Sequence, residues 1–154
     1  MTKTALKLSN TAIPATGNRE LKLRDFSGNP VVVYFYPRDN TPGCTTQGQD
    51  FRDLHPEFKA LNCEIVGVSR DKATTHDKFA EKHGFPFPLL ADTEEALCNE
   101  FDVIKEKNMY GKKVMGIERS TFLFDANGKL AREWRKVRVP GHVEEVLQAV
   151  RELA

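Results

Sequence analysis

Cys44, Cys63 and Cys98 are the side chains best suited to covalent chemistry, and their surroundings differ. Cys44 follows Pro37-Arg38-Asp39-Asn40-Thr41-Pro42-Gly43, a loop of turn formers that leads into a helical pattern. Thr41 suits a helix N-cap and Pro42 the first helical position, which puts Cys44 in the first turn. Unpaired backbone N–H groups and the helix dipole favour an anion there, and helix starts lower a cysteine's pKa toward the reactive thiolate. Such a thiolate attacks a peroxide oxygen, a disulfide sulfur or an acyl carbon. The bland role of a cysteine is small apolar filler, but Thr45 and Thr46 keep this neighbourhood polar. A thioredoxin-type dithiol needs a second cysteine three residues on, where Gln47 stands instead. His55, His76, His83 and His142 are scattered, so no Cys/His cluster resembles a zinc site.

A cysteine at a helix start needs a strand before it and a sheet beneath it. Val31 to Tyr36 is a run of β-branched and aromatic residues without polar alternation, which predicts a central strand covered on both faces. Pro37 suits the end of that strand. Phe51, Leu54, Phe58 and Leu61 form one apolar helical stripe, which Pro56 is expected to kink or divide. Glu64–Ser69 reads as a second buried strand, and Lys72–His83 as a helix stopped by Gly84. Glu20–Leu23 suits an edge strand, and Phe85–Ala91 a short extended stretch. Asp92 or Thr93 caps a helix ending near Phe101, and Asn108–Gly116 reads as a loop. Ser120–Phe124 is a third buried strand, joined through Asp125-Ala126-Asn127-Gly128 to an antiparallel partner at Lys129–Trp134. The last helix runs from about His142 to Leu153. This order predicts an α/β fold with a central mixed sheet flanked by helices, thioredoxin-like in arrangement. Without repeats or linkers, residues 1–154 read as a single domain.

The 23 basic and 22 acidic residues nearly cancel, which argues against binding nucleic acid through bulk positive charge. The basic run Lys105, Lys107, Lys112 and Lys113 reads as a solvated surface. No apolar run is long enough to span a bilayer, Met1–Leu8 lacks the apolar core of a signal peptide, and three cysteines are too few for a disulfide scaffold. The expected compartment is the cytoplasm.

The stretch FYPRDNTPGCTTQ, from Phe35 to Gln47, resembles the peroxiredoxins, and within them the bacterioferritin comigratory protein or PrxQ-type group. GIERSTFLFDANGKL, containing Arg119, and the loop from Met109 to Gly116 are similar to the same group. The likeness runs from about Leu6 to Leu153. It implies a thioredoxin fold and a thiol peroxidase that needs no cofactor and acts on hydrogen peroxide or organic hydroperoxides. Cys44 would attack one peroxide oxygen and become a sulfenic acid. Thr41 would place its hydroxyl beside sulfur and substrate. Arg119 would hold a fixed cation there, and Pro37 would shield the pocket. Backbone N–H groups around Gly43 and Cys44 would stabilise developing charge, with Gln47 in a supporting role. The group is often monomeric.

The chain departs from the group at the resolving step. Familiar partner cysteines lie five residues after the nucleophile or on the next helix, and Gln49 and Ala80 occupy those positions. Cys98 and Cys63 remain as possible resolving residues, although both read as packed thiols. The expected cycle therefore uses one cysteine and an external thiol such as thioredoxin, glutaredoxin or glutathione. The alternatives are a two-cysteine cycle through Cys98 or Cys63, and a thiol–disulfide reductase on the same fold.

Overall fold

The computed structural model describes residues 6–153, and the expectation about an amino-terminal leader falls largely outside them. Its strands are β1 (Ile13–Ala15), β2 (Arg19–Leu21), β3 (Val31–Phe35), β4 (Glu64–Ser69), β5 (Leu89–Ala91), β6 (Ile104–Met109), β7 (Lys112–Ile117), β8 (Ser120–Phe124) and β9 (Leu130–Trp134). Its helices are α1 (Pro42–Ala60), α2 (Ala73–His83), α3 (Ala96–Glu100) and α4 (His142–Leu153). Seven strands form one mixed sheet in the order β2-β1-β5-β4-β3-β8-β9, while β6 and β7 pair separately. β3 runs parallel to β4 and antiparallel to β8, with Phe35 opposite Ser120.

Alternating side chains of β3 feed two cores, one on each face of the sheet. Val32 and Tyr34 join Phe51 and Phe58 of α1, Phe79 of α2, and Val143, Val146 and Val150 of α4. Val31, Val33 and Phe35 join Leu97 and Phe101 on the opposite face. Burial on both faces explains why the Val31–Tyr36 run lacks polar alternation. Gly84 ends α2 in the left-handed region at φ 64°, as its position suggested.

Three expectations need correction. Pro56 does not divide α1, which continues through it to Ala60; Pro56 lies on the exposed side of the helix. The 108–116 segment is not a loop. It forms most of the β6–β7 hairpin, which turns at Tyr110 and Gly111 with φ of 53° and 79°. Successive positive φ values match the twist of a tight hairpin. α3 begins at Ala96, later than expected. The Asp92 carboxylate nevertheless accepts the N–H groups of Leu97 at 3.2 Å and Cys98 at 2.8 Å.

Candidate active site

The chain leaves β3 through Tyr36 and Pro37, turns at Asn40 with φ 64°, and enters α1 at Pro42. Thr41 is the N-cap by backbone conformation, yet its side chain does not cap. Its hydroxyl donates to the Arg38 carbonyl at 2.9 Å, and its own carbonyl accepts the Thr45 N–H at 2.9 Å. Cys44 follows with only 2% of its surface exposed. Pro37 is half-buried.

Arg119 stands immediately before β8, and the antiparallel pairing of β8 with β3 brings it to the same end of the sheet as the Cys44 loop. Its guanidinium forks. Nη2 donates to Cys44 Sγ at 3.3 Å, and Nη1 donates to Gln47 Oε1 at 2.5 Å. The guanidinium thus sets a permanent cation beside the sulfur. Gln47 is fully buried one turn after Cys44, so it is no ordinary exposed helix residue. It holds the guanidinium in the plane that faces sulfur. Gly43 has a steric reason to be glycine, since a Cβ there would lie 3.1 Å from Arg119 Nη2. Tyr34 lies in the core below. Burial, then the charges of Asp39 and Cys44, push its phenol well above the ordinary range.

The structure thus gathers Cys44, Gln47, Arg119 and Gly43, with Thr41 in the adjoining turn. It separates the other two thiols. Cys98 packs in the core on the opposite face of the sheet. Cys63 follows α1, beyond its C-terminal end. About 16 residues of helix separate Cys44 from that end, roughly 24 Å at the α-helical rise, against about 7 Å between Cα atoms for a disulfide. Burial, reinforced by Glu64, pushes the Cys63 thiol up to about 12. Burial and the neighbouring Asp92 push Cys98 up still further.

One charge was misread from sequence. Lys107 is not a solvated surface residue, because its half-buried ammonium donates to the Ile117 carbonyl. Burial, and then repulsion from Arg119, lowers its pKa. Lys112 and Lys113 are exposed as expected, Lys113 pairing with Glu106 at 3.8 Å, while half-buried Lys105 pairs with Asp102 at 3.2 Å. Among the described residues no helix is long and apolar enough to cross a membrane.

A sheltered thiol beside a guanidinium, at a helix start on a thioredoxin-like sheet, is an arrangement suited to a sulfur nucleophile. Comparison with known proteins agrees. Residues 4–133 match the AhpC/TSA family. The chain is 55% identical over 136 residues to peroxiredoxin Bcp of Xanthomonas campestris pv. campestris, covering 88% of this chain and 85% of that one. It is 53% identical over 134 residues to peroxiredoxin Bcp of Bacillus subtilis, covering 87% and 85%. The solved Xanthomonas campestris bacterioferritin comigratory protein, described for its alkyl peroxide reduction activity, aligns with a TM-score of 0.90 at 50% identity. That alignment covers 97% of this chain and 98% of the other. The chain belongs to the AhpC/TSA family, in its peroxiredoxin Bcp or PrxQ-type group.

Proposed function

We propose that Cys44 is the peroxidatic nucleophile of a one-cysteine cycle completed by an external thiol. The carrying observation is the Arg119 fork, which joins the Cys44 sulfur to Gln47. The thiolate attacks the terminal oxygen of a hydroperoxide. A sulfur–oxygen bond forms, the O–O bond breaks, and the departing hydroxide or alkoxide takes a proton to leave as water or alcohol. Sulfur loses two electrons and the peroxide gains them. Arg119 orients the peroxide and stabilises charge as the O–O bond stretches, assisted by backbone N–H groups near Gly43 and Cys44. The Thr41 hydroxyl, already donating to Arg38, keeps lone pairs to accept a hydrogen bond from the peroxide O–H. Pro37 limits access of bulk water.

A reductant thiol then attacks the sulfenic sulfur. Water leaves, a mixed disulfide forms, and a second thiol exchanges it off. Gln49 and Ala80 give no internal thiol at the familiar positions, and the burial of Cys63 and Cys98 favours a reductant from outside, such as thioredoxin, glutaredoxin or glutathione. Hydrogen peroxide and small alkyl hydroperoxides both suit the site.

The test is intact mass with fragment mapping after one equivalent of hydrogen peroxide, starting from fully reduced protein. One added oxygen on Cys44, with Cys63 and Cys98 alkylatable after unfolding, is the expected outcome. Loss of two hydrogens with an internal bond at Cys44 would replace this cycle by a two-cysteine one. The C63S/C98S double variant is expected to keep full thiol-supported turnover.

A further inference from the structure

Asp39 sits midway between Pro37 and Thr41, yet its side chain turns away from solvent into a buried polar cluster. Its carboxylate accepts the Tyr36 hydroxyl at Oδ1 over 2.6 Å and meets His76 Nδ1 at Oδ2 over 2.6 Å. Both partners of the pair have side chains with no exposed surface. His76 comes from α2, and its Nε2 lies 3.0 Å from the Leu90 carbonyl in β5. A carbonyl only accepts, so Nε2 carries a hydrogen. One further proton then lies between Nδ1 and Oδ2. The Asp39 backbone is fastened as well, because its N–H donates to Asp71 Oδ2 at 2.8 Å. The Ser69 hydroxyl donates to that same oxygen at 2.7 Å.

Asp39, Asp71 and His76 could between them offer metal-ligand atoms within 4.8 Å of one another. The hydrogen bonds just described already engage the side chain of each. The cluster is therefore built as a clamp. It ties the segment before Cys44 to the end of β4, to β5 and to the first turn of α2, and it uses none of the atoms that touch sulfur.

We infer that His76, paired with Asp39, is a positioning residue for the peroxide reaction, because the pair fixes the loop that carries Pro37 and Thr41. This rests on Cys44 being the nucleophile. The Arg119 fork and the helix start hold the thiolate from α1 and β8. The clamp holds the other wall of the pocket from α2. Losing the clamp leaves the thiolate in place and lets Thr41 drift. A displacement of about 1 Å in a reacting geometry costs roughly a hundredfold in rate.

Two rates measured on the same variants test the inference: the second-order reaction with hydrogen peroxide, and alkylation of Cys44 by iodoacetamide. In His76→Phe the peroxide rate constant is expected to fall 10- to 100-fold, while alkylation stays within threefold of the wild type. Asp39→Ala makes the same prediction from the other partner, and serves if His76→Phe does not fold. His76→Asn retains an N–H near the Nδ1 position and is expected to keep the peroxide rate within threefold despite a lower Tm. Any of three results overturns the role of His76: a folded His76→Phe with an unchanged peroxide rate, alkylation falling in parallel with it, or His76→Asn failing as severely as His76→Phe. C44S run alongside separates the two assignments. Peroxide reduction surviving in C44S refutes the nucleophile, whereas its loss there with His76→Phe unimpaired refutes only the clamp.

Discussion

Replacing Arg119 by methionine keeps much of the side-chain volume and removes the cation 3.3 Å from the Cys44 sulfur. Two unit charges about 4 Å apart near a protein surface interact by about 4 kcal/mol at an effective dielectric constant near 20. Arg119 is partly exposed, so solvent screening makes that an upper bound. A hydrogen bond to a charged group contributes about 1.5–3 kcal/mol. Taking that range as the lost transition-state stabilisation, with about 1.4 kcal/mol per factor of ten, the peroxide reaction slows by about 10- to 150-fold. R119K restores charge without the planar fork, so it should recover only part of the rate. Stopped-flow measurement of the second-order rate constant with hydrogen peroxide, under single-turnover conditions, reads both variants. An R119M rate within threefold of the wild type would refute the electrostatic reasoning. Full recovery by R119K would show that charge alone, without the bond to Gln47, is sufficient.

His142 provides an acid-stability prediction. Its Nε2 lies 2.8 Å from the Thr121 hydroxyl, and burial lowers its pKa to about 4. Between about pH 4 and 6.5 the unfolded chain binds the proton that the folded one refuses, so this contribution is complete above about 6.5 and declines as pH falls. Urea unfolding at pH 7 and pH 5 should show about 2 kcal/mol of acid loss that His142→Gln removes; an unchanged slope in that variant would assign the loss to other groups. Gly67 lies in the middle of β4, where a Cβ would come within 2.7 Å of Leu89 Cδ2 and 2.9 Å of the Tyr34 ring. Gly67→Ala should cost about 1–3 kcal/mol by overpacking, seen as a Tm several degrees lower, and an unchanged Tm would show that the core yields there.

The helix start was legible because all its determinants are local. Thr41, Pro42 and Gly43 say where the helix begins, and that alone places Cys44 in the first turn. Arg119 is 75 residues away, and nothing in its own surroundings distinguishes it from a surface charge. The family resemblance singled it out, and strand pairing then delivers it to sulfur. Gln47 was ambiguous because a polar residue does not announce its burial; a partner 72 residues distant decides that. The Asp39–His76 contact spans 37 residues and two elements, with no local signal at either end. β6 and β7 were missed because much of the hairpin is exposed on both faces, leaving little apolar alternation to read. Tyr110-Gly111 is also not among the common hairpin dipeptides, although both residues adopt the backbone that the turn needs. Pro56 bears in the opposite direction, since the helix is not divided at a proline that lies on its exposed side.

The pairing of Phe35 with Ser120 has a consequence for how the site responds to disturbance. The Cys44 loop follows one of these strands and Arg119 precedes the other, so the register of the sheet's interior brings both to the same end. A slip of one residue would shift Arg119 by about 3.4 Å and turn its side chain to the opposite face. Such a slip requires the central strands to part, an event close in cost to unfolding the whole domain. The pairing of β3 with β8 is thus as durable as the molecule, and amides of β3 and β8 should be among the last to exchange with deuterated solvent. Moderate heat, surface substitutions and drift in the outer strands can reshape how a peroxide is admitted while leaving Arg119 at the same end of the sheet.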